Sequence, residues 1–167
     1  MTNIRRYHRK DDLIFLTHVT HERMPILLDN SDLLLDSLAR HTKTWSAEVL
    51  AWVILPDHFH LLLDIRQSEL SSLMRKVKLS FSAGYRIRQA LDRGRVWQNR
   101  FYDHIIRDAD DLNRHIDYIH YNPVKHGLVH KPIEYAASSL GDFSARGYYS
   151  RDWGEHFKID TTIEYGE

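Results

Sequence analysis

The chain has 167 residues, 43% hydrophobic and 28% charged, which suits one globular domain or one domain with a tail. It has no cysteine, which excludes disulfides, iron–sulfur clusters, thiolate zinc centres and cysteine nucleophiles. Lys plus Arg equals Asp plus Glu at 23 each, but residues 1–10 and 68–95 are basic and residues 151–167 acidic, so a zero net charge hides a basic surface suited to a polyanion.

Residues 13–21, LIFLTHVTH, read as a strand, being rich in β-branched and aromatic residues. Residues 31–44 read as a helix, capped by Asn30 or Ser31, with leucines at helical spacing. Residues 47–55, AEVLAWVIL, form a nearly continuous apolar run, as expected of a central strand. Pro56-Asp57 is a turn signal, and residues 58–65, HFHLLLDI, complete a hairpin. Residues 69–92 read as a long basic helix with Leu70, Leu73, Val77 and Phe81 on one stripe, weakened in its middle by Gly84. Residues 101–107 read as a short strand. Residues 108–121 read as a helix that opens at Asp108 and stops before Pro123. Residues 128–167 show no strong periodicity. The order β-α-β-β-α-β-α predicts an α+β fold of the ferredoxin-like split βαβ type, an antiparallel sheet with helices packed on one face. No apolar run approaches the roughly 18 residues of a spanning helix, and MTNIRRYHRKDD lacks the apolar core of a secretory signal, so the expected location is cytoplasmic.

The sharpest chemical feature is His58-Phe59-His60. Residues i and i+2 of a strand share a face, so both imidazoles project together while Phe59 points the other way. Such a pair can chelate a divalent cation. Two histidines that merely alternate on a half-exposed strand would look the same, but a sheet-core strand is a costly place for two polar rings. The second feature is His115, Tyr118 and Asn122 on the last helix. Tyr118 and Asn122 stand at i and i+4 on one face, and a tyrosine can act as a covalent nucleophile. Tyr121 is the rival for that role, and His115 or His120 could assist a proton transfer. Arg5, Arg6, Arg75, Lys76, Lys78, Arg86 and Arg88 are the candidate phosphate contacts. Tyr7, Trp97, Phe101 and Tyr102 could stack on unpaired bases, with core packing the stronger reading for Trp97 and Phe101.

Three segments together resemble a known family. Leu55-Pro56-Asp57-His58-Phe59-His60-Leu61-Leu62-Leu63 is similar to the histidine–hydrophobic–histidine (HUH) motif of single-tyrosine transposases. Trp97-Gln98-Asn99-Arg100-Phe101-Tyr102-Asp103-His104 followed by Ile106-Arg107-Asp108 is similar to the segment before their last helix. Asp117-Tyr118-Ile119-His120-Tyr121-Asn122-Pro123-Val124-Lys125-His126-Gly127 resembles the tyrosine helix and its exit in the REP-associated tyrosine transposases, relatives of the IS200-type enzymes. The resemblance covers roughly residues 5–145. It implies a HUH endonuclease-type domain over residues 1–145, followed by an acidic C-terminal tail over residues 146–167. It implies His58 and His60 as metal ligands, and Asn122 as a third where IS200-type relatives usually carry glutamine. It further implies Tyr118 as nucleophile, Mg²⁺ or Mn²⁺ as cofactor, and a monomer acting on single-stranded DNA beside a REP-type hairpin in the bacterial nucleoid. The implied reaction, DNA transposition, leaves a 5′-phosphotyrosine and a free 3′-OH and keeps the bond energy for strand rejoining. The alternatives are a domesticated hairpin-binding protein that does not cut, and an unrelated metal hydrolase recruiting Asp57 or Asp64 beside the histidines.

Overall fold

The structure is a computed structural model, and it describes residues 12–66 and 68–167. Arg5, Arg6 and Tyr7 lie outside the described residues. The elements follow in the order β1 (Leu13–Val19), α1 (Ser31–Thr44), β2 (Glu48–Ile54), β3 (His58–Asp64), α2 (Leu70–Arg88), β4 (Tyr102–Ile105), α3 (Ala109–Lys125) and a short α4 (Leu140–Ala145). The four strands form one antiparallel-paired sheet in the order β2-β3-β1-β4. That is the split βαβ arrangement: β2 and β1 flank β3, and each βαβ unit closes through a helix.

β3 and β1 are the inner strands, which is why residues 58–63 are all buried. Strand alternation divides their side chains between two cores. Ile14, Leu16, Phe59, Leu61 and Leu63 face α1 and α2, together with Leu34, Leu38, Leu73, Val77 and Phe81. Phe15 and Leu62 face the opposite side, with Ala51, Val53, Tyr118 and Ile119. The two crossover helices therefore share one face as expected, but α3 covers the other. Phe15 and Leu62 on that second face need an apolar cover, and α3 supplies one through Tyr118 and Ile119.

Two helix ends differ from expectation. α2 ends at Arg88, not at residue 92: Ala90 turns left-handed at φ 52°, and Arg88 is tied to Asp32 and Asn30 across the helix pair. Gly84 is a contact point and not merely a weak spot, since a methyl group there would stand 3.1 Å from Leu33 Cδ2. α3 begins at the expected cap, where the Asp108 carboxylate accepts from the Asp111 amide at 2.8 Å, but it runs through Pro123 to Lys125. Proline removes one amide donor from the ladder, and the last turn still closes with His126 N–H donating to Asn122 O at 3.0 Å.

Candidate active site

His58 and His60 lie on the α3 face of β3, with ring centroids 5.1 Å apart. Each has its outer nitrogen engaged. Asp57 Oδ1 stands 2.6 Å from His58 Nδ1, and Arg23 steadies Asp57 from the other side at 3.1 Å. Thr17, the register partner of His60 on β1, stands 2.8 Å from His60 Nδ1. Its hydroxyl donates to the Tyr165 carbonyl, so it accepts from the ring. Both imidazoles are thus held with Nδ1 protonated and Nε2 turned into the site, an orientation that outer partners commonly impose on metal-binding histidines. Burial pulls the His60 pKa down to about 4 against the opposing pull of Glu167, so its ring stays neutral near pH 7.

α3 brings the other residues to the same place. The Tyr118 ring centroid is 5.3 Å from that of His60, and its side chain is 1% exposed. Asn122 Nδ2 is 3.2 Å from His60 Nε2. Tyr121 points elsewhere and packs on Trp153 and Phe157. His115 donates its Nδ1 hydrogen to the Asp111 carbonyl at 2.8 Å and packs on Phe15. His120 belongs to a separate buried network with Ser139 and Tyr149. Neither histidine has a hydrogen bond to the Tyr118 hydroxyl.

The sequence did not signal that residues 164–167 fill this site. Tyr165 stacks on Tyr118 with centroids 3.5 Å apart and planes 4° from parallel. The Glu167 carboxylate then enters the centre. Its Oε1 accepts from the Tyr118 hydroxyl and from Asn122 Nδ2 at 2.7 Å and stands 2.9 Å from His60 Nε2; its Oε2 meets Lys125 and, at 3.2 Å, His126. Gly166 makes this approach possible. It sits at φ +74°, and a Cβ on it would stand 2.2 Å from Tyr102 Cβ. Burial alone would raise the Glu167 pKa, but the His126, His58 and His60 imidazoles outweigh it and hold the carboxyl well below the usual range. The same burial, with Glu167 beside it, pushes the Tyr118 phenol far above its ordinary value. In this arrangement the tyrosine is held as the neutral phenol.

The donor set fits a hard or borderline divalent cation. His58 Nε2 and Asn122 Oδ1 are buried with no hydrogen-bond partner among the described residues. Candidate ligand atoms of His58, His60 and Glu167 all lie within 4.8 Å of one another. A half-turn of the Asn122 amide would present Oδ1 toward the imidazoles. A second group, His104, Asp111 and His115, is similarly compact. Its carboxylate is already met by His104 at 2.8 Å and by the Arg107 amide at 3.0 Å, with the Arg107 and Arg114 guanidiniums at 3.4 and 3.8 Å. That reads as an anchor for the start of α3.

The basic residues are distributed unevenly. Arg75 and Lys76 are exposed on α2. Lys78 is part-buried, its Nζ 5.9 Å from the Phe101 ring centroid. Arg86 donates to the Gly94 carbonyl at 2.6 Å, and Arg88 grips Asp32 at 2.7 and 2.9 Å. Trp97 is in the core at 7% exposure, and Phe101 stacks on His18. Tyr102 donates to the Glu164 carbonyl.

The family described as "Transposase IS200 like" matches residues 13–122 of this chain. The REP-associated tyrosine transposase of Escherichia coli (strain K12) is 31% identical over 156 residues, which span 92% of this chain and 91% of that protein. A Haemophilus influenzae relative of the same REP-associated group is 33% identical over 167 residues, covering 92% of this chain and 94% of its own. A solved structure of a REP-associated tyrosine transposase bound to a REP hairpin matches with a TM-score of 0.88 and 31% identity, over 100% of this chain and 98% of that chain.

Proposed function

This chain belongs to the IS200-like transposase family, and from that premise we propose that it cuts and rejoins single-stranded DNA beside a REP-type hairpin, through a covalent bond to Tyr118. The observation that carries the reading is the convergence of His58, His60, Tyr118 and Asn122 on one point between β3 and α3. The REP hairpin held by the structural relative supports the partner. No helix among the described residues is long and apolar enough to cross a membrane. The chain acts as a monomer in this reading. Residues 1–145 carry the chemistry, and residues 146–167 close over it.

His58, His60 and, after rotation of its amide, Asn122 would hold the metal. A divalent cation such as Mg²⁺ or Mn²⁺ held there would supply Lewis-acid polarisation of the phosphate and offset developing negative charge. Asp57 and Thr17 fix the imidazole tautomers. The rigid face of α3 holds the Tyr118 oxygen in line with phosphorus. The tyrosine oxygen bonds to phosphorus as the 3′ oxygen departs, and the phosphodiester energy is kept for rejoining. The Glu167 carboxylate occupies the place where the phosphate must sit, so the tail has to leave first.

Incubating the protein and divalent metal with end-labelled hairpin oligonucleotides bearing single-stranded flanks tests the proposal. A denaturing gel should show a protein–DNA adduct and a free 3′-OH fragment. Tight hairpin binding with no adduct at any metal concentration, in a variant whose tail is dislodged, would favour the non-cutting binder.

Two further outcomes are expected. Glu167→Ala and Gly166→Ala should both speed adduct formation, the first by deleting the carboxylate and the second by a clash with Tyr102 that expels it. The gain should be about tenfold for each 1.4 kcal/mol by which the closed state is weakened. Equal rates for parent and both variants would show that the tail leaves at no cost. In filter binding at several salt concentrations, Arg75→Ala and Lys76→Ala should each lower the slope of log affinity against log salt by about one unit. Arg88→Ala should leave the slope unchanged, because its guanidinium serves Asp32. The sheet separates α2 from the tyrosine, so α2 addresses the stem and α3 the scissile strand. Unchanged slopes for Arg75 and Lys76 would place the stem elsewhere.

A further inference from the structure

Resting on the reading above, we infer that Lys125 is a catalytic residue: its ammonium stabilises the negative charge on the Tyr118 oxygen, both as that oxygen attacks and as it leaves during rejoining. Tyr118, Asn122 and Lys125 stand at i, i+4 and i+7 of α3, so they line one face over two turns. Lys125 Nζ is 2.9 Å from the Tyr118 hydroxyl and 5.0 Å from the centre of its ring. The ammonium therefore touches the reacting atom itself.

The Glu167 carboxylate shows how an anion fits between these groups. Its two oxygens divide the site. Oε1 lies with His60, Asn122 and Tyr118, and Oε2 lies with Lys125 and His126. Two non-bridging oxygens of a phosphate would divide the same way, one toward the imidazoles and one toward Lys125. The lysine thus supplies positive charge on the side of the phosphate away from His58 and His60, next to the tyrosine oxygen. The Lys125 side chain is 34% exposed, and its ion pair with Glu167 is released when the tail leaves.

In cleavage the phenolic proton passes to solvent, the Tyr118 oxygen bonds to phosphorus, the bond from phosphorus to the 3′ oxygen breaks, and that oxygen takes a proton from solvent. Rejoining reverses each bond, with the Tyr118 oxygen leaving as phenolate. Lys125 stays protonated throughout and donates a hydrogen bond to the charged oxygen. A preorganised donor of this kind strengthens as charge develops, because its interaction with the transition state exceeds that with the neutral phenol.

The test uses a Glu167→Ala parent, which removes the carboxylate that Lys125 otherwise holds. In that background Lys125→Met should slow both adduct formation and rejoining by about 100-fold at saturating DNA, with hairpin affinity changed by no more than one phosphate contact. Lys125→Arg should recover most of the rate, since it restores the charge in the same place, and Lys125→Gln only a small part. A structural role would not discriminate Arg from Gln in this order. Equal rate constants for the parent and the Met variant would overturn the assignment of Lys125 alone. Absence of any adduct from the parent would overturn the functional reading, and this one with it.

Discussion

Tyr118→Phe is expected to abolish covalent protein–DNA adducts and strand cleavage, a loss of at least about 10⁴-fold, while hairpin binding survives. The substitution removes one oxygen and keeps the ring. That ring is stacked on Tyr165 and set edge-on to Phe15 and His60, so packing is retained. The lost hydrogen bonds to Glu167 and Lys125 cost about 1 kcal/mol of stability, which a thermal melt would report separately from activity. Tyr121→Phe is the matched control. Its ring lies against Trp153 and Phe157, away from both imidazoles, and its cleavage rate should match the parent. Adducts from Tyr118→Phe and none from Tyr121→Phe would move the nucleophile three residues along α3 and leave the geometry without an explanation.

His58→Ala and His60→Ala should each lower cleavage by about 10³-fold or more, and EDTA should bring the native protein to the same floor. Both Nε2 atoms are directed into the site by partners on the opposite nitrogen, and His58 Nε2 has no hydrogen-bond partner among the described residues. Metal titration followed by protection against thermal unfolding gives a readout apart from activity. Mn²⁺ should raise the melting temperature of the Glu167→Ala protein and not that of its His60→Ala derivative. Asn122→Ala should weaken cleavage less, because water can replace one oxygen ligand around Mg²⁺ or Mn²⁺. Undiminished cleavage in EDTA would dispose of the metal, and the histidines would then have to act as proton carriers.

The linear sequence by itself determined the local geometry. Strand alternation put His58 and His60 on one face and Phe59 on the other, and Phe59 is in the opposite core. Helical spacing paired Tyr118 with Asn122, and Asp108 capped α3 where the pattern predicted. The element order yielded the split βαβ sheet. Each of these follows from a period of two or of 3.6 residues, which a short window contains in full. Contacts between distant segments carry no such period, and these the tertiary structure alone decided. It set the choice between Tyr118 and Tyr121, because only the packing of α3 on the second sheet face tells which ring meets His60. It carried α3 past Pro123, where a local rule had ended it, and so brought Lys125 two turns along the face of Tyr118. It put Thr17 opposite His60 through strand register, and it committed Arg88 to Asp32. Most of all it placed Glu167, 107 positions after His60 in the chain, in hydrogen-bond reach of that ring. An acidic tail reads in sequence as solvated charge. Only a fold that leaves a buried cluster of imidazoles, phenol and ammonium open beside Tyr102, with Gly166 shaped to pass it, gives that carboxylate a place to go.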